Sequence, residues 1–343
     1  MTQQIEFHDK QISMQHGAGG QATRRLIEGL FAQAFSNPTL DAMGDSALLN
    51  IGNHRLAITT DTFVISPHTF PGGTIGSLAI HGTVNDLAVS GAEPLGLTAG
   101  FILEAGLKSD KLRFQVQSMA DTAKAVGVSI VSGDTKVVEN GNADGLYINT
   151  TGIGLIRDDA NLSPSNVEVG DAILVSGPIG DHGITILIAR AEIDLSADLE
   201  TDSRSILPYT RALLDAVGHD IKWMRDATRG GVATVLNELA SDAAKGIVIE
   251  ESTIPVRDMV RASCELLGLD PLHVANEGQF VAVISKSKAD EALAAIQAVP
   301  GGEGACIIGH VVKDHPSRVI GRTAHKTRRV IDVLVGDPLP RIC

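Results

Sequence analysis

Apolar and polar positions along the chain fall into two successive rounds of strand and helix. Short apolar or alternating runs predict strands over residues 55–60, 95–103 and 146–156. Between them, residues 75–90 and 110–126 carry the longer spacing of helices. The polar, Pro-containing stretch 161–169, just after Arg157-Asp158-Asp159, reads as a boundary. The pattern then restarts, with a strand over 172–176, a turn at Gly177-Pro178-Ile179-Gly180 and a helix-like run from Ile184. Helices over 231–240 and 288–298, and strands over 247–250, 280–284 and 330–335, complete it. Mixed elements in both halves predict two α/β or α+β domains, 1–157 and 158–335. Residues 336–343 form a different kind of segment, because Pro338 and Pro340 disfavour both helix and central strand. Those eight residues make an arm able to reach roughly 25 Å when extended.

Composition narrows the function classes. Aromatics are only 3% of the chain, so the core must be built from Ala, Val, Ile and Leu. The formal net charge is −13 and there is no Lys/Arg cluster, which argues against nucleic acid as a partner. An acidic enzyme still binds nucleotides when a cation bridges its carboxylates to phosphate. The start carries no basic segment followed by an apolar one, and no apolar run is long enough to span a bilayer. Three cysteines without paired spacing do not make a disulfide framework. The expectation is a soluble, cytoplasmic protein.

Several features point to phosphate chemistry. His16-Gly17-Ala18-Gly19-Gly20 precedes a helix-like run over 22–34, where glycines let backbone N–H groups approach an anion. An ordinary Gly-rich turn fits equally well. No GxxxxGK[ST] motif is present, which disfavours a P-loop enzyme. Asp45, Asp61, Asp86 and Asp226 stand near predicted element ends or, for Asp86, among apolar helix neighbours. Each alone fits a cap or turn, but converging carboxylates are how a protein holds Mg²⁺ against a triphosphate. Ser132-Gly133-Asp134-Thr135-Lys136 reads as a small-residue turn after a strand, with Thr135 suited to phosphate and Lys136 to charge neutralisation. A plain hairpin with a solvated lysine is the alternative. In Ala275-Asn276-Glu277-Gly278-Gln279, Glu277 fits either a general base or a surface turn.

Cys264 and Cys306 lie among apolar residues and read as small core residues. Cys343 is the last residue of the sequence, at the tip of the proline-containing arm. A covalent carrier needs a nucleophilic thiolate, reach and an acceptor site. The arm supplies reach, and Arg341 modestly favours the thiolate.

With His16-Gly17-Ala18-Gly19-Gly20, Gly44-Asp45-Ser46-Ala47, Thr60-Asp61, Val84-Asn85-Asp86-Leu87, Ser132 to Lys136, Arg225-Asp226-Ala227-Thr228-Arg229-Gly230-Gly231, Asn276-Glu277-Gly278 and Pro340-Arg341-Ile342-Cys343, the chain resembles the HypE family. These are hydrogenase-maturation proteins of the PurM-like (AIR synthetase-like) ATP-binding superfamily. The resemblance implies an N-terminal sheet domain forming a homodimer, a C-terminal α/β sandwich and a flexible tail. It implies ATP and Mg²⁺ as cofactors, with Asp45, Asp61, Asp86 and Asp226 matching the metal–phosphate aspartates. His16, Gly17, Gly19, Gly20, Gly133, Asp134 and Thr135 would contact the nucleotide. A HypF-like carbamoyltransferase would load Cys343, and ATP would drive dehydration of the S-carboxamide to a thiocyanate. Cyanide would then pass to iron on a HypC–HypD complex, for a NiFe hydrogenase. Lys136 and Glu277 are the implied proton-handling pair, and the same thiol would have to alternate between an inward and an outward position. Other readings are a small-molecule kinase or synthetase of the same superfamily, or a non-catalytic nucleotide-gated scaffold. Neither gives the thiol of Cys343 a purpose.

Overall fold

A computed structural model describes residues 6–17, 19–190, 198–334 and 341–343. Among these, the strands are β1 (Ala47–Ile51), β2 (His54–Phe63), β3 (Thr69–Phe70), β4 (Gly73–Thr74), β5 (Ala92–Glu104), β6 (Ile130–Val138) and β7 (Leu146–Ile156) in the first half. The second half holds β8 (Ala172–Val175), β9 (Ile221–Asp226), β10 (Gly246–Glu250), β11 (Phe280–Ile284), β12 (Cys306–Val312), β13 (Val319–Arg322) and β14 (Arg328–Ile331). The helices are α1 (Gln21–Leu26), α2 (Ala32–Phe35), α3 (Ile75–Val89), α4 (Ser109–Val126), α5 (Asp181–Ala189), α6 (Leu207–Val217), α7 (Gly231–Asp242), α8 (Asp258–Leu267) and α9 (Ala289–Gln297).

Two sheets organise these elements. The first has the order β1-β2-β7-β5-β6, antiparallel except for the parallel pair β5–β6. Strand β7 alternates buried and half-buried residues along its whole length, as a strand covered on one face should. The covering element is α3. Its start is fixed by a capping box, in which Thr74 Oγ1 accepts from the Ser77 N–H and Ser77 Oγ accepts from the Thr74 N–H, both at 3.0 Å. Past that cap, α3 is buried on nearly every side, and it packs on β2, β7, β5, α4, α6 and β9 at once. It is therefore the hub between the two halves.

The second sheet has the order β14-β13-β10-β12-β8-β11-β9. Its central strands β8 and β11 are buried on both faces, which explains why they read as continuous apolar runs. Leu174, Phe280, Ala282 and Ile284 join the core shared with α3, α5, α6 and α9. Ile173, Val175, Val281 and Val283 point to the opposite core, under α7. Burying side chains on both faces is worth about 25 cal/mol per Å² of apolar area removed from water. No described helix is long and apolar enough to cross a membrane.

The structure corrects two sequence expectations here. Ser132-Gly133-Asp134-Thr135-Lys136 is not a turn but the middle of β6, paired residue by residue with β5 from Thr98↔Ser132 to Leu103↔Val137. Turn-type composition lost to sheet pairing, and Gly133 is accommodated because a Cβ there would stand 2.4 Å from the Ala99 carbonyl oxygen. The last strand ends at Ile331 rather than 335. Residue 335 and the proline-containing arm over 336–340 lie outside the described residues. The run over 22–34 is helical with one π-helical turn at Ile27–Phe31.

Candidate active site

Four elements deliver carboxylates to one region. Asp45 precedes β1, Asp61 lies near the end of β2, Asp86 sits in the closing turns of α3, and Asp226 ends β9. Because α3 packs on both β2 and β9, the two halves of the chain meet there. Thr59 Oγ1 donates to Asp86 Oδ2 at 2.6 Å, and Thr83 Oγ1 to Asp61 Oδ2 at 3.4 Å. Asp45 pairs with the Arg225 guanidinium at 2.8 Å, and Arg225 also reaches Glu238 at 3.0 Å.

These groups titrate as a cluster. Burial is the first cause that raises the Asp86 carboxyl well above its usual range, followed by the charges of Asp61, Asp226 and Asp45. Asp226 is raised by burial and then by Asp45 and Asp61, while Arg225 and Arg229 oppose the shift. Asp45 and Asp61 are raised in the same way, held back chiefly by Arg225 and Arg229 respectively. Glu277, just before β11, is only 4% exposed, so the surface-turn alternative is excluded. Burial pushes its carboxyl well up, and Asp226, Asp202 and Asp61 push it further. Its main chain is fixed, with its N–H donating to Asp202 Oδ1 at 3.0 Å and its carbonyl accepting from Asn85 Nδ2 at 3.1 Å.

The Gly-rich loop packs against the same place. Arg229 donates to the Gly17 carbonyl at 3.0 Å. Gly19 has φ +80°, and a Cβ there would stand 2.8 Å from Arg229 Cβ, so only glycine fits both the backbone and the space. Gly20 is the N-cap of α1. The His16 ring is 7% exposed and engaged by Asp9 at 2.9 Å and by Ser13, so it supports the loop. Ala18 lies outside the described residues.

The end of the chain closes this region. Ile342 is 4% exposed, packed into the shared core. The Val64 N–H donates to a main-chain oxygen of Cys343 at 3.1 Å. Arg341 binds the Val64 carbonyl and pairs with Asp144. Arg229 is held in its charged form first by the negative charge at Cys343, then by Asp61, Glu277 and Asp226. Cys343 and the carboxylates therefore share one electrostatic field. Lys136 does not join it, since its ammonium pairs with Asp134 at 2.6 Å and is 70% exposed on β6. Among the described contacts none links Lys136, Asp134 or Thr135 to Glu277.

Comparison with known proteins settles the family. The AIR synthase related protein, N-terminal domain, matches residues 43–156, and the corresponding C-terminal domain matches 168–322. A carbamoyl dehydratase HypE from Rhizobium leguminosarum bv. viciae is 45% identical over 339 residues, covering 99% of this chain and 97% of its own. The chain belongs to the HypE family. A HypE structure in a HypE–HypF complex is similar at a TM-score of 0.86 and 44% identity, covering 90% of this chain and 99% of its own. A HypE structure in complex with ATP is similar at a TM-score of 0.81 and 44% identity, covering 97% and 100%. The two-domain PurM-like architecture expected of the HypE family is the architecture observed.

The cluster of buried aspartates has donor chemistry that suits a hard cation. Among the described residues no three His, Cys, Asp or Glu side chains stand close enough to hold a metal unaided. Their crowded, mutually raised carboxyls are nevertheless what an additional positive charge relieves, and Mg²⁺ ordinarily completes its shell from phosphate and water. Two residues of this candidate site escaped the sequence reading. Arg229 stood within a quoted motif but was given no role, although an arginine flanked by glycines and an aspartate is a usable signal. Asp202 had no signal at all, being brought to Glu277 only by folding.

Asp202 gives a stability prediction. Burial raises its carboxyl from 3.8 to about 7, with the Asp181 charge adding to the rise, and its Oδ2 is buried without a hydrogen-bond partner. A raised folded-state pKa means that the native state binds more protons, so stability is lost as pH rises from 3.8 towards about 7. Across that window the Asp202→Asn variant should lose a slope of up to roughly 1.4 kcal/mol per pH unit. Thermal unfolding at pH 5 and pH 7 checks this. An unchanged slope in the variant sinks the assignment.

Proposed function

We infer that this chain, as its HypE-family relatives are named for, dehydrates a carbamoyl group, and that it does so on its own Cys343 using ATP. The observation that carries the reading is that Cys343 and the carboxylates Asp61, Glu277 and Asp226 all act electrostatically on the same buried arginine, Arg229. The substrate would be the S-carboxamide of Cys343, loaded by a HypF-like carbamoyltransferase. The product would be the S-thiocyanate, with ADP and phosphate.

Oxide does not leave an amide carbon unaided. The carboxamide oxygen attacks the γ-phosphorus of ATP, ADP departs, and the C–O bond then breaks with phosphate as the leaving group. Two protons leave the nitrogen as the C≡N bond forms, one ending on phosphate and one in solvent. Glu277 is the base in this reading, because it is buried, acts with Cys343 on the charge of Arg229 and has a main chain held on both sides. Arg229 and the Gly17–Gly20 loop would steady the developing phosphoryl charge. Asp45, Asp61, Asp86 and Asp226 would hold Mg²⁺, which when bound neutralises phosphate charge.

Lys136 requires a second copy. The outer face of the first sheet exposes Ile51 (57%) and Ile102 (42%), the latter paired with Lys136, an apolar surface suited to a homodimer. We assign Lys136, with Gly133, Asp134 and Thr135, to that interface, where it would act as an electrostatic partner to the chemistry. We further divide the chain at 157/158 and place the reaction in the cytoplasm, where the free thiol of Cys343 stays reduced. A HypC–HypD iron scaffold would accept the cyanide.

The test is an intact mass after incubation with HypF, carbamoyl phosphate and ATP. A carbamoyl adduct that loses one water only when ATP can be hydrolysed supports the reading. An unmodified chain overturns it.

A further inference from the structure

The last three residues are held by the buried Ile342 side chain, by the Arg341 guanidinium and by a set of main-chain contacts. Arg190 donates to the Arg341 carbonyl, His182 Nε2 meets the Ile342 carbonyl at 2.6 Å, and Val64 N donates to Cys343 at 3.1 Å. The His182 bond stands apart because of what lies behind it. The ring is fully buried at the start of α5, and Phe70 meets it edge-on. Its Nδ1 lies 2.7 Å from Thr201 Oγ1.

The tautomer follows from the partners. A carbonyl only accepts, so Nε2 carries the hydrogen. Burial lowers the ring's pKa to about 4, keeping it neutral, and Nδ1 must then accept from the Thr201 hydroxyl. Thr201 Oγ1 in turn accepts the Ser203 N–H at 3.0 Å. Between Thr201 and Ser203 stands Asp202, whose Oδ1 receives the Glu277 N–H at 3.0 Å. The carbonyl of Asp202 presses on Gly278, where a Cβ would stand only 1.9 Å away. A continuous set of directed contacts therefore runs from the arm, through His182 and the 201–203 loop, to the main chain of Glu277.

We propose that His182 is a positioning residue for the dehydration step, latching the C-terminal arm inward and registering Glu277 to it through Thr201 and Asp202. The inference deepens the proposed function and rests on it only for the catalytic readout. Docking and loading make opposite demands, since an end held at Val64 and His182 is drawn back from a carbamoyl donor. Loss of the latch should therefore split the two half-reactions, whereas a merely structural defect would depress both.

The experiment uses the full chain in two arms. In the first, iodoacetamide alkylation of Cys343 is followed by mass spectrometry, with buried Cys264 as the internal reference. His182→Ala should alkylate at Cys343 roughly 5- to 100-fold faster, the range expected for one lost buried hydrogen bond. His182→Gln, which retains an N–H donor, should recover part of the protection. Thr201→Val, near-isosteric, should show a smaller rise and guards against a misfolded alanine variant. In the second arm, single-turnover dehydration of preloaded protein should slow in the same order, while HypF-dependent loading stays equal or quickens. Unchanged Cys343 alkylation in both His182→Ala and Thr201→Val overturns the latch, whatever the enzyme activity. Faster alkylation with no slowing of dehydration overturns the positioning role. Failure of loading in the unmutated chain would instead count against the proposed function, leaving the alkylation result to stand.

Discussion

Cys343→Ser should abolish carbamoyl loading, from a stoichiometric adduct to none detectable, while leaving nucleotide binding and thermal stability near those of the parent. The thiolate is the nucleophile in such a transfer, and a serine hydroxyl is far too weak an acid to replace it without an adjacent base. Folding should survive because the docked end is secured by the Ile342 side chain and by main-chain oxygens, none of which the substitution removes. The other two cysteines supply the contrast. Cys264 is 1% exposed and burial pushes its thiol up to about 11, so it is mostly protonated at neutral pH. Cys306 lies half-buried on β12, its thiol also raised by burial. Cys264→Ser and Cys306→Ser should therefore load normally. Peptide mapping of the adduct checks all three variants, and label on either internal cysteine would sink the carrier assignment.

What the sequence made legible was what local pattern alone determines. Strand β7 shows strict alternation and was placed at its observed bounds, 146–156. Helix α3 was recognisable because apolar residues recur at helical spacing over it, and its one aspartate stands among apolar neighbours and must have a purpose. The C-terminal half was harder. Strand β9 and helices α6 and α8 are short and partly polar, and their identity depends on sheet pairing and core contacts between distant segments. Strand β6 was misread for a clear reason, since Ser-Gly-Asp-Thr-Lys has turn chemistry and only the parallel register with β5 makes it extended.

The site divided along the same line. The aspartates could be collected from sequence because each is anomalous where it stands. The residues that organise them could not. His182 meets Ile342 across 160 positions of chain, and Asn85 meets Glu277 across 192. The sequence suggested a flexible arm that alternates between an inward and an outward position, and Arg341, Ile342 and Cys343 occupy one individually fitted seat. A seat of that kind implies that inward and outward positions are distinct states and that the arm does not simply drift between them. Arg229 belongs to both halves of this account, as part of a legible motif whose partner, the end of the chain, was not legible.

Glu277→Gln should slow dehydration of the loaded arm by about 10²- to 10⁴-fold, the range for loss of a positioned general base, while loading of Cys343 proceeds at the parent rate. The substitution is nearly isosteric and leaves the main-chain bonds to Asp202 and Asn85 in place, so the effect should be on chemistry and not on folding. The pH profile separates a base from a bystander. Burial raises the Glu277 carboxyl well above its usual range, with Asp226, Asp202 and Asp61 adding to the shift, so the group is largely protonated until pH climbs through that raised value. Only the ionised form accepts a proton from the carboxamide nitrogen. The single-turnover rate of the parent should therefore rise with pH across the folded-state pKa and then level off. Glutamine has no such ionisation, so its residual rate should lose that rise. A bound cation and Arg229 both favour the ionised form, which predicts that the rise shifts to lower pH when Mg²⁺ is saturating. If Glu277→Gln retains both the parent rate and the parent profile, the proton must go elsewhere, and Asp202, buried beside it with one unpartnered oxygen, becomes the next carboxylate to replace.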